Sequence, residues 1–206
     1  MKFLNFNSVI CLSPHPDDIE VSMGGTIMKY RDTNFTSVVF STGSVNDPVS
    51  NENRWKECYA YWEGFKNINQ YFLAPLMNMY TEEEWLNLLE QRFLIEQHQA
   101  ILLPSNLDTH YEHRFVNGIG MALTRNLPIS IIEYRAISVL DTWVPNMLVE
   151  IGKFTKEKVK RLIQFKSQKK SYFQPKYMQG FHTHVNSLRK HVDVTEQFRI
   201  VTLYSV

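Results

Sequence analysis

The sequence predicts an α/β fold of the Rossmann-like kind, a mostly parallel sheet with helices on both faces. Two observations predict it. Short runs rich in Val, Ile and Leu alternate along the chain with longer segments of helical spacing, the pattern of parallel strands joined by covering helices. In addition, two clusters of histidines and carboxylates each follow one of those apolar runs. Strand ends of open α/β sheets open into a crevice whose loops supply the side chains, so this is where sites lie.

The elements follow in order. Ser8 to Leu12 reads as a buried strand, and Glu20 to Asn34 as a helix with Val21, Ile27 and Met28 facing inward. Phe35 to Ser41 alternates around Val38, Val39 and Phe40 as a second strand. It ends in Thr42-Gly43-Ser44 and a polar loop from Val45 to Asn53, which is either a wall of the crevice or a solvent-facing connection. Arg54 to Gly64 is helical, with Gly64 as its stop. Ile68 to Leu73 is a third strand, closed by Pro75. Thr81 with Glu82, Glu83 and Glu84 is a helix start, an N-cap hydroxyl with a glutamate three residues on. That helix is expected to reach about His98 and to bury Trp85, Leu88, Leu89 and Phe93. Ala100 to Leu103 is the next strand, followed by a helix from about Arg114 to Arg125.

Pro128 opens a strand from Ile129 to Tyr134, and two more strands are expected around Arg135 to Val139 and Asn146 to Ile151. Thr155 caps a basic helix running to about Lys170, which reads as a solvated face. The pattern is weakest from Tyr177 to His191. No internal repeat or low-complexity linker interrupts the chain, so residues 1–206 are expected to form one domain.

Composition sets bounds. A chain of 206 residues can bury a substantial core in one domain. With 44% hydrophobic and 21% charged residues the balance is that of a globular protein. A net charge of +1 gives no nucleic-acid footprint, and no apolar run approaches the roughly 20 residues of a membrane span. Asn5, Asn7 and Ser8 interrupt the first apolar stretch, which runs straight into the first cluster. Cleaving it as a signal peptide would destroy that cluster, so it is read as the mature N-terminus. Cys11 and Cys58 look like small buried hydrophobes in a reducing compartment, by default the cytoplasm.

The first cluster is Ser13-Pro14-His15-Pro16-Asp17-Asp18-Ile19-Glu20. A histidine and a carboxylate three residues apart on a proline-held turn can both reach one cation, which leaves Asp17 free for other work. The plainer reading is that these acids only favour a helix N-terminus. The second cluster, Asp108-Thr109-His110-Tyr111-Glu112-His113, puts two histidines and more carboxylates at another strand end. If the two strands are parallel neighbours, both clusters open at one edge of the sheet. Imidazole with carboxylate suits zinc or a similar divalent metal.

These segments resemble the N-acetylglucosaminyl-phosphatidylinositol de-N-acetylase superfamily, the PIG-L or LmbE-like proteins. Its His-Pro-Asp-Asp, acidic residue, Gly-Gly-Thr pattern is matched by His15 to Glu20 followed by Gly24-Gly25-Thr26. The extra residue before Glu20 and the Met23 to Ile27 segment are most similar to the bacterial thiol-pathway deacetylases. A second family pattern, Asp-x-His-Pro-Asp-His, is matched by Asp108 to His113, with Tyr111 in place of the proline and Glu112 in place of the aspartate. Weaker echoes run through Thr42-Gly43, Arg54, Glu57, Gly64, Lys158, Ser167, Gln168, Glu196 and Phe198, so the resemblance spans nearly the whole chain.

The resemblance implies a zinc-dependent hydrolase removing acetyl from an N-acetylated amino sugar or its conjugate, with Fe²⁺ or another divalent metal as alternatives. His15, Asp18 and His113 are the expected metal ligands, a set that leaves positions open for water and substrate. The same set serves iron oxygenases, but on a barrel-like scaffold that the strand–helix alternation argues against. Asp17 is the expected general base, acting on water whose pKa the metal lowers toward about 7, and then the acid for the departing amine. His110 matches a histidine that helps stabilise the oxyanion in relatives, and its imidazolium would serve that charge. Asp108 orients a histidine from behind, or is a turn cap. Arg54 matches an arginine that contacts the sugar in some relatives; the alternative is an ordinary surface arginine.

Two further features are weighed the same way. Trp143 either stacks on a sugar or is simply buried. His182 and His184 share a face if their segment is a strand, which would allow a second metal pair. Two other functions stay open, a metallo-phosphoesterase and a metal-holding sugar-binding module without turnover. The expected partner is a small N-acetyl amino-sugar conjugate, with no nucleic acid and no membrane span; a homo-oligomer is compatible with the sequence.

Overall fold

The computed structural model describes residues 1–42, 48–168, 173–186 and 191–204. The strands are β1 (Ser8–Ser13), β2 (Asn34–Ser41), β3 (Ile68–Ala74), β4 (Ala100–Pro104), β5 (Ser130–Tyr134), β6 (Met147–Glu150), β7 (Thr183–Asn186) and β8 (His191–Thr202). The helices are α1 (Asp18–Lys29), α2 (Pro48–Tyr61), α3 (Glu82–Arg92), α4 (Tyr111–Thr124), α5 (Thr155–Leu162) and α6 (Pro175–His182). The sheet runs β3-β2-β1-β4-β5-β8-β6, with β7 paired to β8 off this path. The five strands from β3 to β5 are parallel, and β8 enters antiparallel between β5 and β6.

Alternation in β1 builds two cores. Val9 and Cys11 face the layer of α1, α2, α5 and α6, where Ile19, Ile27, Cys58, Tyr61, Leu162 and Met178 are buried. Ile10 and Leu12 face α3 and α4, with Trp85, Leu89, Val116 and Ile119. A strand covered on both sides must be apolar throughout, which is why β1 reads as a continuous run. The expected fold class is the observed one.

The order places β1 between β2 and β4. The chain moves outward from β1 to β2 and β3, then returns to β4 on the other side. The crevice at the strand ends therefore lies between β1 and β4, the point where the winding reverses. Val9, Ile10 and Cys11 pair in parallel with Ala100, Ile101 and Leu102, so both clusters do emerge at one edge.

Several boundaries differ from the sequence reading. α1 spans Asp18–Lys29 rather than Glu20 to Asn34, and α2 begins at Pro48, inside the expected loop; residues 43–47 lie outside the described residues. α3 ends at Arg92, not His98. Leu94 adopts φ +27, and the chain leaves the helix there so that Ile95, on the far face of a continued helix, reaches the core. α4 starts at Tyr111, three residues early, because the second cluster supplies its own cap. No strand forms over 135–139; only Val139 bridges to Asp108, because β8 takes the place beside β5.

β8 was not expected as a strand. Its buried positions carry Thr195, Glu196 and Gln197, which hides the apolar alternation. α5 stops at Leu162 instead of continuing to Lys170, and residues 169–172 lie outside the described residues. Lys158 is not on a solvated face. Its ammonium is buried, donating to Glu196 Oε1 at 2.6 Å, to Val21 O at 2.5 Å and to His182 Nε2 at 2.7 Å.

α1 is two half-helices, broken at Met23 (φ −141, ψ 16). The break frees backbone groups that need partners. Glu196 from β8 accepts from Gly25 N (2.8 Å) and Thr26 N (2.6 Å), capping the second half, while Lys158 takes the Val21 carbonyl of the first. The Gly-Gly after the first cluster permits this approach. A Cβ on Gly25 would sit 3.1 Å from Glu196 Oε1 and 2.8 Å from Ile151 Cδ1. No helix among the described residues is long and apolar enough to cross a membrane.

Candidate metal centre and active site

The first cluster forms the turn from β1 into α1. Ser13 Oγ donates to His15 O at 2.7 Å, and Ser41 N donates to Pro14 O at 3.0 Å, pinning the turn to its own strand and to β2. Asp17 is the N-cap of α1, with φ +113, a conformation that costs a non-glycine residue roughly 1–3 kcal/mol and recurs at functional sites. Its main-chain N–H donates to Glu20 Oε2 (3.1 Å), one arm of a capping box. Glu20 is fully buried and also accepts from Trp62 Nε1 (2.5 Å) and Cys58 Sγ (3.1 Å). Burial pushes its carboxyl above the usual range.

The second cluster forms the turn from β4 into α4. Asp108 reaches both its own turn and a histidine. Its Oδ1 accepts from His110 N (2.8 Å), closing the turn, while Oδ2 meets His113 Nδ1 at 2.9 Å. His110 caps α4, its Nδ1 accepting from Glu112 N at 3.3 Å.

The two turns meet. Asp18 stands between two imidazoles, with Oδ2 at 3.3 Å from His15 Nδ1 and Oδ1 at 3.4 Å from His113 Nε2. Ligand atoms of His15, Asp18 and His113 all lie within 4.8 Å of one another, and a second such group is His15, His110 and Glu112. A set of two imidazoles and one carboxylate, with Asp108 behind one imidazole, fits a zinc-like divalent ion. Glu112, to which no role had been given, reaches His15, with Oε2 at 2.5 Å from Nε2.

The electrostatics follow from this crowding. Burial would lower the His113 pKa, but Asp18 and Asp108 outweigh it and bring it to about 10. Burial would raise the Asp18 carboxyl, yet the His113 and His15 imidazoles hold it well below its ordinary value. His110 is lowered by burial and by its His15 and His113 neighbours, which disfavours the imidazolium form.

A pocket of about 250 Å³ opens over these groups, lined also by Asp17, Val21, Ser22, Arg54, Ile137 and Ser138. Arg54 is not a surface residue. It is buried, and its guanidinium donates to Thr42 O, to Pro16 O at 3.0 Å and to Asp17 Oδ1 at 3.5 Å. Ser22 is buried, and its hydroxyl has no partner among the described residues. A serine among apolar helix residues offers no sequence signal for such a place.

Two other candidates lie elsewhere. Trp143 is buried and donates to Glu133 Oε2 at 3.0 Å, so it is a core residue rather than a sugar platform. His182 is taken up by Lys158 in the core, and the side chain of His184 lies outside the described residues.

A family model described as GlcNAc-PI de-N-acetylase, PIG-L, matches residues 10–124. Among solved structures, N,N'-diacetylchitobiose deacetylase from Pyrococcus horikoshii in complex with an inhibitor aligns with a TM-score of 0.76 at 22% identity, over 97% of this chain and 85% of that one. The 4-carboxy-2-hydroxymuconate hydratase GalB of Pseudomonas putida KT2440 also reaches 0.76, at 14% identity over 100% and 98%. The zinc-inhibited form of a teicoplanin deacetylase reaches 0.69, at 11% identity over 94% and 98%. At such identities the likeness is one of fold, and a fold hosts more than one chemistry. Comparison with curated proteins finds no match.

Proposed function

Because the chain belongs to the GlcNAc-PI de-N-acetylase (PIG-L) family, with over half its length matched, we propose that it is a metal-dependent hydrolase removing acetyl from an N-acetylated amino sugar or its conjugate. The observation that carries this reading is the convergence of His15, Asp18 and His113 beside a buried, strained Asp17 at the floor of an open pocket. His15, Asp18 and His113 would hold the ion, zinc in the first instance. When bound, the ion supplies Lewis acidity to the acyl carbonyl and to water.

The chain's own residues do the rest. Asp17 accepts the proton of the attacking water and returns it to the amine nitrogen as the amide bond breaks, because an amine leaves only when protonated. Its strained backbone and the Arg54 guanidinium keep that carboxylate aimed at the pocket floor. His110 stabilises the oxyanion as a neutral donor. With Nδ1 accepting the Glu112 N–H, the ring proton sits on Nε2, free to donate. Asp108 holds His113 in one tautomer. Arg54 borders the pocket, and its part in binding substrate is through the turn it ties together rather than as an extended clamp.

A phosphoesterase is less well supported. Arg54 is the one Arg or Lys among the described residues lining the pocket, and its Nη1 and Nη2 groups already donate to Asp17 and to main-chain carbonyls. Phosphoryl transfer usually recruits more cations. The two buried free thiols, Cys11 and Cys58, support a reducing compartment such as the cytoplasm.

The decisive experiment is metal analysis of the purified protein, followed by acetate release from a panel of N-acetylglucosamine conjugates. About one zinc or ferrous ion per chain and acetate from at least one conjugate are expected. Metal without acetate from any conjugate would leave a metal-holding binding module.

A further inference from the structure

The two positions that depart from the family's second pattern touch one another. Tyr111 Oη donates to Glu112 Oε1 at 3.0 Å, and Glu112 Oε2 lies 2.5 Å from His15 Nε2. The two residues stand at the start of α4, and His15 is on the turn after β1, 97 positions away. The Glu112 side chain is mostly buried, whereas Tyr111 is exposed.

The surroundings of the two histidines are alike. His113 presents Nε2 to Asp18 and keeps Nδ1 on Asp108. His15 presents Nδ1 to Asp18 and keeps Nε2 on Glu112. A carboxylate on one ring nitrogen keeps the proton there and leaves the other nitrogen's lone pair for an ion. A glutamate side chain is one methylene longer than the aspartate of the family pattern, which adds about 1.5 Å of reach from α4 toward His15.

We infer that Tyr111 and Glu112 work as a pair that positions His15, with Glu112 fixing the proton on Nε2 so that Nδ1 faces the ion, and Tyr111 fixing the Glu112 carboxylate. The inference rests on the reading of His15, Asp18 and His113 as ligands. Neither residue touches the reacting atoms in this assignment; both are positioning residues. The family's proline at position 111 could not donate to this carboxylate, so the tyrosine and the glutamate form one joint replacement.

The test is zinc affinity, measured by competition with a chromophoric chelator, together with ¹⁵N spectra of the histidine rings in the zinc-loaded protein. Glu112→Ala should weaken zinc by about 10–100-fold. Tyr111→Phe, which keeps the exposed ring and the fold, should weaken it by a smaller factor, and the double variant should be no weaker than Glu112→Ala alone. His113→Ala gives the reference for a lost ligand. In the wild-type spectra His15 should bind through Nδ1 and carry its proton on Nε2. Zinc found on Nε2 of His15, or an affinity of Glu112→Ala within twofold of wild type, overturns the pairing and leaves the ligand set intact. A wild-type protein that binds no zinc overturns both.

Discussion

Two adjacent aspartates meet different partners, and the backbone is what separates them. Asp17 has the left-handed φ of the N-cap, while Asp18 opens the helix, so their side chains leave the chain in different directions. Asp18 meets the two imidazoles, and Asp17 meets Arg54. Asp17→Asn keeps size and leaves the three proposed ligands in place, and asparagine tolerates positive φ better than most residues. It should hold its metal and bind substrate while kcat falls by roughly 10²–10⁴, the span expected for a general acid–base. Asp18→Asn should instead lose metal affinity, because a neutral amide oxygen replaces an anion. Metal content and acetate release, measured on both variants side by side, separate the roles; normal turnover by Asp17→Asn would sink the mechanism.

At the scale of elements, α1 is the piece whose shape matters most for the site. Val21 and Ser22, which line the pocket, sit immediately before its break at Met23. The break persists because both freed ends are capped from other elements, by Lys158 of α5 and Glu196 of β8. These two charges also pair with each other in the core at 2.6 Å. Removing one partner of a buried pair leaves the other uncompensated, which costs about 3–5 kcal/mol. Glu196→Ala should lose that much in urea unfolding, and Glu196→Gln combined with Lys158→Met should lose less than the single alanine variant. A loss below about 1 kcal/mol for Glu196→Ala would show that the caps do not hold the helix.

At the scale of the whole molecule, the buried network gives the fold an acid sensitivity of its own. His182 is held well below its ordinary pKa, first by burial and then by the Lys158 ammonium beside it. Its folded pKa lies below the unfolded value of about 6.5, so the unfolded chain binds the extra proton first as pH falls. Above about pH 7 the group contributes no pH dependence. Below about 6.5 it subtracts stability, by up to about 1.4 kcal/mol per pH unit, until the folded form also protonates. His182→Gln should flatten that part of the profile. Urea midpoints of both proteins from pH 7.5 to 5 measure it, and parallel profiles would remove His182 as the cause.

What the sequence determined by itself was local. Apolar runs of four to seven residues marked β1, β2 and β4, and the two clusters lay on the turns after β1 and β4, where the structure has them. A strand, its turn and the next helix are specified by neighbours a few positions apart, which is why these parts were legible. The resemblance of the same clusters to a known family pointed to the candidate ligands. Tertiary structure decided whatever depends on partners far along the chain. Only the sheet order makes β1 and β4 neighbours and so brings Asp18 between His15 and His113. Only the fold shows Lys158 as a buried ion rather than a solvated one, because the Glu196 that compensates it is on β8. The same reason hid β8 itself, whose polar core positions read as surface until their partners are in view. Burying a charge is costly unless an opposite charge meets it, and the meeting is made by folding, not by adjacency in sequence.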